Sequence, residues 1–321
     1  MGRNKSINRL FLLVTVIYIS ISLGIGALAS WIPFLSSLPV WVSILLSQSL
    51  ICVPGLLYCK KKGIALGELI PHRRMNVATI VLVVVCTYLM YPMIIVLNAI
   101  SMLFTSSGTA AVADMMQGQG FGLSVLLIAM LPAVVEEFMF RGLLFQTYKR
   151  SRMLPAILLS AFLFGCMHMN LNQFMYAFAL GVYLAFLVEA TGSIFSSMLA
   201  HFTLNVTSVA LSSLLPMLER MAGSMPEQTQ QIPQGGFAAV MEGGELLIFL
   251  FGIMIWGVIA IGTTCGAAGV YVAICKINGR WNYVRQMFRG GDRERMVTLA
   301  LVAAVLLTFA MMGLQILMEW I

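Results

Sequence analysis

Long apolar runs, separated by short polar or basic segments, recur along the whole chain. A helix needs about 20 such residues to cross the hydrocarbon core of a bilayer. The pattern predicts nine helices, at about 10–30, 39–59, 76–104, 121–147, 153–170, 173–189, 193–216, 245–275 and 296–318. The stretch 153–189 is too long for one span and is predicted to break near residues 169–172, whereas 76–104 and 245–275 are long enough to contain a re-entrant break. Because backbone polar groups find no water in lipid, the predicted fold is an all-α polytopic transmembrane helix bundle of about eight to nine helices.

Composition supports a membrane protein and argues against several other classes. Of the 321 residues, 60% are hydrophobic and 10% are charged, whereas a soluble domain carries roughly 25% charged residues. The net charge of +7 comes from basic residues in short loops, which is typical of membrane orientation and gives no reason to expect a nucleic-acid partner. The six cysteines lie in or beside apolar spans without any CxxC spacing, so neither a disulfide framework nor a cysteine-zinc site is indicated.

The distribution of the 19 lysines and arginines predicts the orientation of the chain. A cytoplasmic N-terminus places the basic groups at 60–74, 149–152 and 276–295 in the cytoplasm, leaving only Arg220 outside and Arg141 within the membrane. The first apolar run is longer than the roughly 7–15 residues of a secretory signal, so we expect a retained helix and not a cleaved leader. The chain is thus predicted to be a multi-pass integral membrane protein, of the plasma membrane if the source is bacterial.

The chain is predicted to form a single integral-membrane domain over residues 1–321, with two loops of distinct composition. Residues 217–244 are polar and contain Pro, Gly and Gln, which favours a flexible external connector over a substrate-gating loop. Residues 276–295 form a basic cytoplasmic loop. We interpret it as a topology signal, with binding of anionic lipid or of a partner as the alternative.

A cluster of charge, Glu136-Glu137-Phe138-Met139-Phe140-Arg141, interrupts the apolar span 121–147. Ionisable groups at the centre of a bilayer cost about 2.5–3.5 kcal/mol each, so they persist mainly where they pair or take part in function. Glu137 and Arg141 are four residues apart, in the order that favours an ion pair along a helix. Glu136 is rotated by about 100° from Glu137 and lacks an intrahelical cation. A carboxylate without a paired cation is suited to accept and return protons.

Two more pairs with helical spacing lie in the spans that follow. Phe164 can pack against His168, and His201 and Asn205 present two hydrogen-bond donors on one helix face. A lone buried histidine is usually a hydrogen-bonded core residue, but two of them with two glutamates and an asparagine favour a functional site. From the cytoplasmic ends of their helices, Glu136 lies roughly 20 Å deep, His168 roughly 24 Å, and the His201 pair roughly 12–18 Å. We therefore predict that these side chains converge near the middle of the membrane.

Together the three motifs resemble those of the CAAX protease and bacteriocin-processing family of intramembrane peptidases (CPBP, also called Abi). The resemblance covers residues 121–207 and rests on Glu136-Glu137-x-x-x-Arg141, Phe164-x-x-x-His168 and His201-x-x-x-Asn205, with Phe140-Arg141-Gly142-Leu143-Leu144-Phe145 and Thr191-Gly192-Ser193-Ile194 beside them. The family includes endopeptidases that process prenylated CAAX proteins. The resemblance therefore implies that 121–207 is the catalytic core of an intramembrane endopeptidase, acting on a membrane-associated or lipidated peptide or protein.

The resemblance also implies a role for each motif residue. Glu136, assisted by His168, would be the general base that activates water, and His201 and Asn205 would hold the oxyanion of the tetrahedral intermediate. Glu137 and Arg141 would be mainly structural, and Phe164 would support the imidazole. Because water must reach these groups, we expect a polar cavity open to the cytoplasmic side.

Three alternatives remain open at this stage. Glu136, His168 and His201 could instead supply three ligands to zinc, although no HExxH occurs and Asn205 fits an oxyanion role better, so catalysis without a cofactor is favoured. The chain could be a non-catalytic membrane scaffold or a bacteriocin-immunity protein with the same fold. A transporter or proton relay could also use buried Glu, His and Arg. Detection of a cleaved product separates the enzyme from the last two.

Overall fold

The computed structural model describes residues 2–105, 118–221, 245–290 and 294–320, together with 112, 115 and 116. This part of the chain is an all-α, multi-pass membrane bundle in which eight helices are long and apolar enough to cross a bilayer and a ninth is shorter. In chain order the nine helices are α1 (Arg3–Ala29), α2 (Val40–Lys62), α3 (Val77–Ser101), α4 (Phe121–Tyr148), α5 (Met153–Met167), α6 (Leu171–Thr191), α7 (Ile194–Met221), α8 (Glu245–Ile277) and α9 (Leu299–Trp320). Short helices at Pro33–Ser36, Leu66–Leu69 and Trp281–Gln286 lie in the connections.

The helix boundaries follow the hydropathy pattern, and the predicted break within 153–189 is confirmed. The Asn170 side chain caps the start of α6 by accepting a hydrogen bond from the backbone N–H of Gln173. Just before it, Met169 has a φ of 49°, a left-handed conformation that is uncommon for a residue other than glycine. The two long spans, α3 and α8, each run without the re-entrant break that their length allowed, although α3 contains Pro92.

Helix α4 carries the acidic motif and is not a uniform α-helix. Two π-helical segments, Val125–Met130 and Phe138–Leu144, flank an α-helical piece, Leu131–Glu137. Such segments often occur at functional sites in helices. The two glutamates thus lie at the end of the α-helical piece, and Arg141 lies in the second π-helical segment.

The basic loops meet on one side of the bundle, called here the basic face. The amide of Asn4, at the start of α1, donates to the Ser151 hydroxyl and to the carbonyl of Arg295. The backbone N–H of Arg73 donates to the carbonyl of Gly192, which joins the α2–α3 loop to the α6–α7 turn. The loops that the charge pattern assigns to one side therefore lie together. That this side is cytoplasmic remains a prediction.

Two predicted loops differ in how much of them the structure describes. Helix α7 continues to Met221, past residue 217, and the rest of the predicted external loop, 222–244, lies outside the described residues. The predicted basic loop 276–295 begins within the last turn of α8 and contains the helix Trp281–Gln286.

The apolar core lies between α4 and its neighbours on the side of the basic face. Leu143 and Leu144 of α4 are fully buried, and Phe140 meets Phe11 of α1 edge to face, with ring centroids 6.5 Å apart. Helices α5 and α6 approach closely at Gly181, where an added Cβ would lie 2.8 Å from the Cα of Ala161. Small residues permit this approach, as is usual between membrane helices.

Candidate active site

Glu137 is a fully buried carboxylate that joins two other residues of the predicted site. Its Oε1 atom accepts a hydrogen bond of 2.7 Å from Nη1 of Arg141, which confirms the ion pair expected from the spacing. The same oxygen accepts a hydrogen bond of 3.1 Å from Nδ1 of His201 on α7. Glu137 thus links α4 to α7 and fixes which ring nitrogen of His201 points into the site.

Glu136 is almost fully buried and faces the other nitrogen of the same histidine. Its Oε2 atom lies 3.8 Å from Nε2 of His201, which is too long for a direct hydrogen bond and leaves room for one water to contact both atoms. Its Oε1 atom accepts a hydrogen bond of 3.2 Å from the amide of Gln48 on α2. The two adjacent glutamates therefore have different partners, as their rotation along the helix predicts.

Phe164 on α5 is the central ring of the site. It meets His168 edge to face at 5.1 Å between centroids, as the spacing predicts, and it meets His201 in the same way at 5.7 Å. The guanidinium of Arg141 lies over its face, 4.3 Å from the ring centroid. This cation–π contact gives the guanidinium a favourable partner in an apolar environment. Phe164 therefore holds both histidines and the buried arginine in place.

His168 and Asn205 complete the set but make fewer contacts. His168 caps the C-terminal end of α5 and is half-buried. Asn205 is half-buried one turn beyond His201 on α7. Neither side chain makes a hydrogen bond to another described residue, so both are available to a ligand. The structure thus brings Glu136, Glu137, Arg141, Phe164, His168 and His201 together, whereas Asn205 is linked to them, among the described residues, only through its position one turn after His201 on α7.

Gln48 is the residue of the site that the sequence reasoning missed. It is buried, and its side-chain oxygen has no hydrogen-bond partner among the described residues. The sequence offered one signal, a lone amide in the middle of the apolar run of α2, since a polar side chain at that depth needs a partner. Nothing in the run itself indicates that the partner is Glu136, which lies 88 residues away.

The side chains of the site include three that could bind a metal, Glu136, His168 and His201. Among the described residues, no group of three or more His, Cys, Asp or Glu side chains is placed to hold a metal ion. Nδ1 of His201 is engaged by Glu137, which leaves Nε2 for another partner, and a carboxylate on the second ring nitrogen is also common among metal-ligating histidines. The alternative in which Glu136, His168 and His201 hold zinc therefore stays a hypothesis.

A third buried carboxylate, Glu189, lies apart from the site and joins three elements at the basic face. It accepts hydrogen bonds of 2.7 Å from Nζ of Lys149 and 2.6 Å from the hydroxyl of Tyr283, and Arg280 lies beside it at 3.5 Å. Burial, reinforced by the negative charge of Glu189, raises the pKa of Tyr283 well above its usual value near 10. The hydroxyl therefore stays protonated and donates to the carboxylate.

A cavity of about 380 Å³ opens beside this cluster, between the α2–α3 loop and the end of α6. Its lining includes Arg73, Lys149, Glu189 and Arg280. None of the predicted site residues lines it. This cavity is therefore separate from the site within the bundle.

Comparison with known proteins supports the resemblance inferred from the motifs. Residues 118–207 match a family model described as "Type II CAAX prenyl endopeptidase Rce1-like". The match includes all three motifs. A curated relative from Bacillus subtilis (strain 168), named "Putative membrane peptidase YdiL", is 29% identical over 113 residues. That alignment covers 35% of this chain and 45% of the relative, so the chain spans less than half of the length of the curated protein it matches.

No solved structure gave a significant match to the chain. The family model and the relative together confirm the resemblance to the CAAX protease and bacteriocin-processing family. They do so over the region that carries the motifs.

Proposed function

We propose that this relative of the CAAX prenyl endopeptidases is an intramembrane endopeptidase. It hydrolyses a peptide bond of a membrane-associated or lipidated peptide by means of water activated by Glu136, without a metal. The observation that carries the proposal is the geometry between Oε2 of Glu136 and Nε2 of His201, which face each other at 3.8 Å. A carboxylate and an imidazole at that separation can hold one water between them in a nearly dry site.

The reaction follows from what each group can accept or donate. Glu136 takes a proton from the water as its oxygen attacks the scissile carbonyl carbon, and His168 assists through its own free ring. The carbonyl oxygen becomes an oxyanion, to which the Asn205 amide donates a hydrogen bond. The C–N bond then breaks, and the proton held by Glu136 passes to the leaving nitrogen. A positioned base contributes about 10²–10⁴-fold to such a reaction, and one oxyanion donor about 10²–10³-fold.

The role of His201 depends on where its protons lie. Because the carboxylate of Glu137 can only accept, the hydrogen bond between them places a proton on Nδ1 of His201. Nε2 can donate to an oxyanion only when the ring carries a second proton, and the resulting positive charge would lie between two carboxylates. Glu137 is therefore a positioning residue that orients His201, in addition to its structural pairing with Arg141.

The proposal is tested by comparing membrane-associated peptides from cells that express the wild type, Glu136→Gln or Glu68→Gln at matched levels. Glu68 is an exposed carboxylate in the α2–α3 loop, so its variant controls for the loss of one acidic side chain. We expect a truncated peptide with the wild type and with Glu68→Gln, and none with Glu136→Gln. Identical peptides in all three samples would contradict the proposal and favour the scaffold or immunity alternative.

A further inference from the structure

The cavity of about 380 Å³ at the basic face is lined by more cations than carboxylates. Arg73, Lys149 and Arg280 line it, together with the carboxylates of Glu68 and Glu189. Glu68 is exposed at the surface, where water and salt screen its charge. Cavities that bind small molecules have volumes of about 300–1,000 Å³, so this one has room for a ligand.

Glu189 holds two of these cations in place without neutralising both. Its Oε1 atom accepts from Nζ of Lys149, and its Oε2 atom accepts from the hydroxyl of Tyr283 and lies 3.5 Å from Nη2 of Arg280. Nε of Arg280 donates to the backbone carbonyl of Glu189. One carboxylate faces two cations, so one positive charge stays uncompensated. Lys149 has three N–H donors and uses one of them on Glu189.

Arg73 and Arg280 approach each other at Gly192, the residue that ends α6. A Cβ added to Gly192 would lie 2.8 Å from Cδ of Arg73 and 3.2 Å from Nη1 of Arg280. Among the described residues, neither Nη1 of Arg280 nor the guanidinium of Arg73 has a hydrogen-bond or ion-pair partner. Two positive side chains that meet in this way repel each other, whereas an anion between them would attract both.

Backbone hydrogen bonds fix the walls of the cavity. The N–H of Arg73 donates to the carbonyl of Gly192 at 3.2 Å, and the N–H of Ile194 donates to the carbonyl of Pro71 at 2.8 Å. These two bonds join the α2–α3 loop to the α6–α7 turn. The backbone that carries Arg73 is therefore already ordered, which lowers the entropic cost of binding a ligand.

We propose that this cavity is a binding site for a phosphate group, held between Arg73, Lys149 and Arg280. A guanidinium matches the oxygens of phosphate in a bidentate geometry. Three cations around one group need three acceptor oxygens, which a phosphate provides and a carboxylate does not.

Two sources bring a phosphate group to this face of the bundle: the headgroup of an anionic lipid and a soluble phosphate ester. Trp281 and Tyr283 follow Arg280 directly in the chain, and both residue types are enriched at the membrane–water interface. The cavity therefore lies at a level that lipid headgroups reach, and it borders the aqueous side as well.

Thermal unfolding of the purified full-length protein provides the test, because a ligand of the folded state raises the midpoint. In one arm, the protein in neutral detergent micelles is titrated with glycerol 3-phosphate, and sodium acetate at equal ionic strength is the comparison anion. In the other arm, phosphatidylcholine discs contain increasing fractions of phosphatidic acid. Arg73→Gln removes a cation from the cavity. Arg74→Gln is the matched control, since Arg74 is exposed and does not line the cavity.

We expect a saturable rise in the midpoint of the wild type and of Arg74→Gln in at least one arm. Arg73→Gln should need about 10-fold more ligand for half-saturation, because it loses hydrogen bonds to a charged group. A rise with glycerol 3-phosphate supports a site open to soluble esters, and a rise with phosphatidic acid alone supports a headgroup site. Equal half-saturation for the two variants, an equal rise with acetate, or no rise in either arm would overturn the proposal.

A second pair of variants guards against misfolding. If Arg73→Gln does not fold, Arg73→Lys is compared with Arg74→Lys. Weaker binding is again expected at position 73 alone, because an ammonium lacks the planar fork of a guanidinium, and equal binding by the two would overturn the proposal. None of the measurements needs turnover, so their outcome is independent of the proposed function.

Discussion

The ion pair between Glu137 and Arg141 yields the sharpest quantitative prediction. Both side chains are fully buried, and their charged atoms are 2.7 Å apart. At an effective dielectric constant of about 20, the Coulomb attraction at that distance is about 6 kcal/mol. Removing one partner leaves the other charge buried and unpaired, which typically costs about 3–5 kcal/mol. We therefore expect Arg141→Met and Glu137→Leu each to lower the folding equilibrium constant by about 10²–10⁴-fold.

The double variant separates the structural role of Glu137 from its positioning role. Replacing both partners by apolar residues removes both buried charges, so stability should return to within about 1–2 kcal/mol of the wild type. Product formation should stay low, because His201 then lacks the acceptor that orients its Nδ1 proton. Denaturant titration in lipid–detergent micelles measures the first quantity, and the peptide assay measures the second. These predictions are wrong if Arg141→Met lowers the free energy of unfolding by less than about 1 kcal/mol, or if the stable double variant is fully active.

Three further predictions concern single side chains. Gln48→Leu should lower kcat by about 10–100-fold with little change in KM, since a hydrogen bond to a charged group contributes about 1.5–3 kcal/mol; equal losses in the neighbouring Ser47→Ala would show a general packing effect instead. Gly181→Ala should destabilise the fold by about 1–3 kcal/mol because its Cβ would overlap α5. Gly252→Ala, whose Cβ meets nothing within 4 Å, should be neutral or slightly stabilising. Equal thermal midpoints for Gly181→Ala and Gly252→Ala would contradict the predicted overlap with α5. Folding raises the pKa of Tyr283. The contribution of its protonated hydroxyl to the free energy of unfolding is therefore fully present below pH about 10 and is lost as the pH rises further. Alkaline titration of Tyr283→Phe should therefore show a shallower loss of stability than the wild type, and an identical slope would exclude the contribution.

The fold could be predicted from the sequence because lipid leaves few choices. Apolar runs of membrane-spanning length must form helices, and the basic residues sort the loops to one side. The depth of each motif residue followed from the helix rise alone, which is why Glu136, His168 and His201 could be expected at one level. The pair Glu137–Arg141 and the contact between Phe164 and His168 lie within single helices, so their spacing was sufficient.

Contacts between helices could not be predicted in this way. Hydropathy gives the depth of a residue but not its lateral neighbours, so neither the bond from Gln48 to Glu136 nor the contact of Phe164 with Arg141 follows from the chain pattern. The two π-helical segments of α4 have no signature in a run of apolar residues.

Hydrolysis by the purified protein is the decisive test of whether Glu136 activates water without a metal. Wild type and Glu136→Gln, stripped of metal by a chelator and placed in vesicles of defined lipid, are given the precursor identified in cells, and the product is quantified by mass spectrometry. We expect that the stripped wild type still cleaves the precursor and that Glu136→Gln is slower by about 10²–10⁴-fold. Equal rates for the two proteins, or activity that disappears on chelation and returns with zinc, would contradict it.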